Sequence, residues 1–338
     1  ESCFDFHKAV EEHIVPLVNT IQQKKLKKLN KDQFKPWDTA VNPDGKAPLK
    51  PFKSGQEMLD GTIAVFEHVN SKFADFLRTM QRIKHLDLES KPGKAPGGYN
   101  YPLYETGAPF IFMNSVGSHN DFTTMVHEGG HAVHSFLTHD LELTSFKSFP
   151  SEIAELASMS MELLTMNYWN DIYSNEDDLI RAQREQIEGT LTLLPWIAQI
   201  DAFQHWIYEN PEHSLKERKE HWMHLNTRFG TGLVDWTGYE TVLESSWQRQ
   251  LHLFEVPLYY IEYGIAQLGA LGIWKNSKSN TEQAVSDYTN ALTLGYTKSL
   301  PEVYETAGIS FDFSSGHICS LAEFIENELE KLDAKVVL

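Results

Sequence analysis

Residues 127 to 131 of the 338-residue chain read His-Glu-Gly-Gly-His, within the segment DFTTMVHEGGHAVHSFL. On an α-helix, at 100° per residue, two side chains four apart lie about 40° from each other. His127 and His131 can therefore face one metal ion. Glu128 projects beside them, where it can take a proton from a metal-activated water without becoming a ligand itself, the arrangement of a zinc peptidase. Gly129 and Gly130 cost such a helix about 1 kcal/mol each relative to Ala. A helix that keeps both has something pressed against its backbone at that point.

Two histidines need a third ligand, and the following run, SFPSEIAELASMSMELL, offers three glutamates. Ser148, Pro150 and Ser151 mark a helix start. Glu152, Glu155 and Glu162 then fall within about 80° of arc, because offsets of three and seven residues return to nearly the same face. A carboxylate from that face, on a helix packed antiparallel to the first, completes a His₂Glu site and leaves a position for water. A thiolate site of the CxxC kind is excluded, since Cys3 and Cys319 are the only cysteines and stand at opposite ends of the chain.

Composition narrows the partners. The 29 Lys+Arg against 47 Asp+Glu give a net charge of −18, which repels nucleic acid and anionic membrane surfaces. With 41% hydrophobic residues the chain can bury a large core. No stretch approaches the roughly 20 apolar residues of a membrane span. The first thirty residues run from acidic to basic, the reverse of a signal peptide, so a cytoplasmic placement is the default.

The elements that must position these residues follow from periodicity. Helical spacing is expected over 1–30, kinked at Pro16, and again over 56–83, with a proline-rich loop at 36–54 between them. Tyr99–Tyr104 and Ala108–Met113 read as two strands of a small sheet within 99–113. Helices return from Asp121, which is placed as the N-cap of the histidine helix, and continue through 121–139, 151–170, 177–209, 214–228, 256–276, 280–294 and 318–334. The expected fold is mainly α, one domain over 1–338, with a small sheet and the metal-binding helices at 121–170. His134, one turn beyond His131, and His119 are further candidates to meet a substrate, the alternative for each being a hydrogen-bonded histidine behind the site or in the core.

HEGGHAVHSFL, followed by the glutamates of IAELAS and SMEL, resembles the zinc oligopeptidases of the oligoendopeptidase F and thimet oligopeptidase family, as does GKAPGGYNYPLYETGAPFIFMN upstream. The resemblance implies a zincin-like catalytic domain with a small sheet beside the zinc helix and one Zn²⁺ per chain. Glu155 becomes the third ligand and Glu162 the carboxylate that holds a ligating histidine by its other nitrogen. It also implies an oligopeptide bound as an added strand, with Ala108–Asn114 as the edge and Ala108 and Phe110 in contact with it.

In HLFEVPLYYIEYGIAQLGAL, residues 252 to 271, the resemblance makes His252, Tyr259 and Tyr263 donors to the oxyanion and substrate carbonyl. Tyr260 is the alternative tyrosine, and Tyr259 and Tyr263 are expected to share a helix face. The activity implied is endopeptidase cleavage of short oligopeptides. A non-catalytic peptide-binding protein of the same fold is the reading from another class, and a mono-zinc aminopeptidase or carboxypeptidase is the nearer alternative. Family members carry an N-terminal helical lobe, so the chain is expected to be a catalytic domain without it.

Overall fold

A computed structural model of the chain describes residues 2–336. The single domain expected from the sequence comprises two compact units. One contains Pro48–Gln183 and Ala266–Phe311. The other contains the residues up to Ala47, Arg184–Ile265 and those from Asp312 onward.

The first of these units carries the histidine motif. It begins with α1 (Gly55–Val69) and α2 (Ser71–Arg82), where a single helix over 56–83 was expected. Asn70 breaks that helix. Its backbone is extended and its side chain accepts from the Lys72 amide, so it caps α2 while ending α1. Strands β1 (Leu86–Glu89), β2 (Tyr99–Tyr101) and β3 (Phe110–Ser115) form a sheet in the order β1-β3-β2, with β1 parallel and β2 antiparallel to β3. β3 is therefore the central strand, not an edge. Its backbone groups are already paired on both sides, which removes Ala108–Asn114 as a place for a peptide to add. Four residues, Leu-Asp-Leu-Glu, are too short a run for the alternation of β1 to stand out in the sequence.

Two helices follow, α3 (His119–Leu137) and α4 (Ser151–Thr165), and they pack on α1 with α5 (Thr281–Thr293). Phe66, Phe73, Phe122, Met125, Val126, Val133, Ile153, Leu156 and Met161 are fully buried at this junction. At about 25 cal/mol per Å² of apolar surface, each contributes on the order of 2 kcal/mol.

α3 starts two residues earlier than expected. Ser118 is its N-cap, and Asp121 sits at the third helical position, its carboxylate accepting from the Ser118 amide at 2.8 Å and the Val116 amide at 2.9 Å. Asp121 thus closes a capping box rather than capping the helix alone.

The other unit is helical among its described residues. Helix Ser2–Ala9, a π-helical turn Val10–Ile14 and helix Val15–Leu29 replace the single helix expected there. The wider turn lies just before Pro16, whose ring cannot accept a regular α-turn ahead of it. Most of helix Glu176–Glu209, with Leu215–Phe229 and Ser315–Val336, completes this unit. No helix among the described residues is long and apolar enough to cross a membrane.

Candidate metal centre

Gly129 and Gly130 explain how the site is assembled. A Cβ on Gly130 would lie 2.7 Å from the Ser158 Cα and 3.0 Å from the Ala157 carbonyl oxygen of α4. One on Gly129 would lie 2.8 Å from the tip of the Phe66 ring. Gly130 lets α4 come against the backbone of α3, with small residues on both sides of the contact, while Gly129 makes room for the Phe66 ring of α1. The closeness of the two helices sets the carboxylates of α4 opposite the imidazoles of α3.

His127 donates from Nδ1 to Glu162 Oε1 at 2.6 Å, and this leaves Nε2 facing Glu155, 3.3 Å from its Oε2. His131 Nε2 lies 3.9 Å from the same oxygen. One donor atom each from His127, His131 and Glu155 lie within 4.8 Å of one another. Ligands held about 2.1 Å from a tetrahedral ion are separated by about 3.4 Å, so two imidazoles and a carboxylate at these spacings suit zinc. Glu128 is 6% exposed, and its Oε2 is buried without a hydrogen-bond partner within the protein, which suits a carboxylate that would meet a metal-held water. Glu152, the other candidate ligand, does not join the set.

The charges are tightly coupled. Burial lifts the Glu128 carboxyl to a pKa of about 7, against the partly offsetting charge of His127. For Glu155, burial would raise the pKa, but the hydrogen bond from His127 and the two histidines outweigh it and hold the carboxyl at about 2. Burial would likewise depress His127, yet its bonds to Glu155 and Glu162 carry it well above the ordinary imidazole value. A proton there occupies the place a cation would take. His131 is pushed down to about 4 by burial, which keeps its lone pair free at neutral pH. Replacing Glu162 by Gln should weaken zinc binding about 10- to 100-fold by freeing the His127 ring. The fold should hold, and competition with a chromogenic chelator measures the loss.

β2 runs alongside. Its Asn100 side chain donates to the backbone carbonyl of Glu128 at 3.4 Å, while Tyr99 and Tyr101 turn to the opposite face. With Leu103 and Phe110 these tyrosines line an open groove of about 580 Å³. β2 is an edge strand, paired only with β3 among the described residues. Sequence reasoning missed this role. Ser158, which donates to Glu155 Oε2 at 3.2 Å, was also missed, although its offset of three residues from Glu155 places it on the same helix face.

Other candidates are corrected. His134 is fully buried, its ring stacked on Phe149 at 3.6 Å, so it belongs to the core and not to a substrate surface. Ala108 is 6% exposed and equally sequestered. His119 Nδ1 lies 2.6 Å from the Tyr173 hydroxyl, and burial lowers its pKa to about 4. Since His119 stays neutral in the fold but protonates near 6.5 when unfolded, stability is lost as pH falls from about 6.5 towards 4. From pH 7 to 5 the group should cost roughly 2 kcal/mol. Urea melts of the chain and of H119Q at the two pH values check this, the variant showing the smaller loss.

His252, Tyr259 and Tyr263 lie in the other unit and gather there. His252 Nε2 is 3.2 Å from the Tyr263 hydroxyl, and Gln250 donates to its Nδ1 at 2.6 Å. The rings of Tyr259 and Tyr263 are 5.5 Å apart. They do not share a helix face, because helix Ile261–Ser279 begins after Tyr259. Pro257 and Leu258, the latter at φ 54°, hold the chain out of helical geometry until then. Tyr260 is 8% exposed and packs edge-on to His252.

A mainly α fold, with a small sheet beside a helix that carries HEGGH and a glutamate-bearing helix across from it, is of the zincin-like metallopeptidase class. The chain belongs to peptidase family M3, whose model matches residues 1–322. It is 24% identical to the oligopeptidase PepF of Bacillus subtilis over 97% of its own length and 49% of that protein. To the chromosomal oligoendopeptidase F of Lactococcus lactis subsp. cremoris it is 22% identical, over 97% of this chain and 54% of that one. The solved structure of PZ peptidase A with an inhibitor superposes at a TM-score of 0.90 and 30% identity, covering 98% of this chain and 58% of the other. The chain thus spans about half the length of the curated relatives it matches.

Proposed function

We propose that the chain is the catalytic part of a zinc endopeptidase acting on short oligopeptides. The observation that carries this is the convergence of His127, His131 and Glu155 beside the buried, unpartnered carboxyl of Glu128. Zinc held by the three ligands would supply a Lewis acid that polarises a peptide carbonyl and makes water easier to deprotonate.

The residues of the chain do the rest. Glu128, whose pKa of about 7 suits both acceptance and release of a proton, takes one from the attacking water and passes it to the leaving amine. Glu162 fixes the tautomer and orientation of His127. The open side of β2 offers main-chain groups next to Glu128, where an extended peptide can pair without its side chains being read. An edge strand needs no free terminus, which favours internal cleavage over removal of terminal residues. A role for His252, Tyr259 and Tyr263 as hydrogen-bond donors in the same reaction rests on the family resemblance alone. Cytoplasmic placement is part of the same proposal and rests on composition.

Masses of the products from an internally cleaved, terminally blocked oligopeptide test the reading. Two fragments are expected, each keeping one blocked end. Cleavage only of unblocked peptides, one residue at a time, would show an exopeptidase instead.

A further inference from the structure

A second set of metal-ligating side chains lies in the other unit, far from the HEGGH motif in sequence. Cys3 is on helix Ser2–Ala9, and Asp201 and His205 are one turn apart on helix Glu176–Glu209. One donor atom from each lies within 4.8 Å of the others. Asp201 has no exposed surface. Its Oδ2 accepts from His7 Nε2 at 2.8 Å and lies 3.5 Å from His205 Nε2, while its Oδ1 is buried without a hydrogen-bond partner.

An unsatisfied carboxylate oxygen in the interior costs about 1–3 kcal/mol, and more when charged, unless something meets it. Beside it stand a thiol and an imidazole, both good ligands for a borderline-soft cation.

We infer that Cys3, Asp201 and His205 bind a divalent transition-metal ion of the zinc type, with His7 orienting Asp201. The charges balance: a thiolate and a carboxylate bring two negative charges against the two positive charges of the ion. Binding releases the Cys3 proton to solvent and involves no electron transfer. The His7–Asp201 pair repeats the hydrogen bond by which Glu162 holds His127, with the carboxylate and imidazole exchanging parts. Such an ion would pin helix Ser2–Ala9 to helix Glu176–Glu209. It would also raise the zinc content from one ion per chain to two. Nearly two hundred residues separate Cys3 from its partners, so sequence spacing alone gave no hint of it.

Cobalt(II) titrated into the metal-free full chain tests this, because a cobalt–thiolate bond gives a near-ultraviolet charge-transfer band. The His127, His131 and Glu155 site contains no sulfur. The band is expected to saturate, to survive in H131A and C319S, and to vanish in C3S. D201N should fold, by circular dichroism, and bind cobalt at this site at least tenfold more weakly. No band in the unmodified chain at saturating cobalt, or a band unchanged in C3S, overturns the inference. Because the band is read without turnover, its absence would leave the peptidase reading untouched.

Discussion

Glu128→Gln should reduce kcat/KM for oligopeptide cleavage by about 10³-fold, within the range set by removal of a general base and equal to about 4 kcal/mol of transition-state stabilisation. Zinc content should stay at the unmodified level. The substitution keeps the shape of the side chain and touches none of His127, His131 and Glu155. What it removes is a carboxyl that burial has tuned to about 7. The amide cannot accept the proton of a water or return it to an amine. Steady-state kinetics on a quenched peptide, with metal analysis of the same samples, separates the base from the ligands. Retained turnover would mean another group takes the proton, and lost zinc would make Glu128 a ligand.

Gly130→Ala sets two effects of opposite sign against each other. Helix propensity alone favours Ala by about 1 kcal/mol. Against it, the new methyl would lie 2.7 Å from the Ser158 Cα and 3.0 Å from the Ala157 carbonyl oxygen. Both belong to backbone, which cannot swing aside as a side-chain end can, and overpacking of this kind costs typically 1–3 kcal/mol. Packing wins, because α4 must move and takes Glu155 and Glu162 with it. The expected outcome is a net destabilisation of about 1–2 kcal/mol and zinc binding weakened at least tenfold. Gly129→Ala should be milder, since the obstacle there is the tip of the Phe66 ring. Chemical denaturation and zinc titration of the two variants check both the sign and the order.

Part of the candidate metal set was legible because it is local: His127 and His131 sit on one helix, and Glu152, Glu155 and Glu162 fall on one face of the next, among which the family resemblance rather than the spacing selects Glu155. The cost of two glycines in mid-helix pointed to a close backbone neighbour, though only the structure identified Ser158 and Ala157 of α4. The sheet was read half correctly. Aromatic runs revealed β2 and β3, but pairing is non-local, and without β1 the central strand looked like an edge. His134 failed for a related reason, since helical phase places a side chain on a face without saying what covers that face. The capping of α3 and the start of helix Ile261–Ser279 slipped by a few residues, where Ser118 and the left-handed Leu258 decide the local backbone.

Removal and return of zinc is the most direct measurement of the endopeptidase proposal. A quenched oligopeptide is followed with the chain as purified, after chelation, and after addition of zinc, using C3S so that only the His127, His131 and Glu155 site responds. Internal cleavage that disappears with the chelator and returns with one equivalent of zinc is the expected result. Cleavage that persists after chelation, or a zinc-loaded chain that cleaves nothing, would contradict the assignment of a zinc endopeptidase.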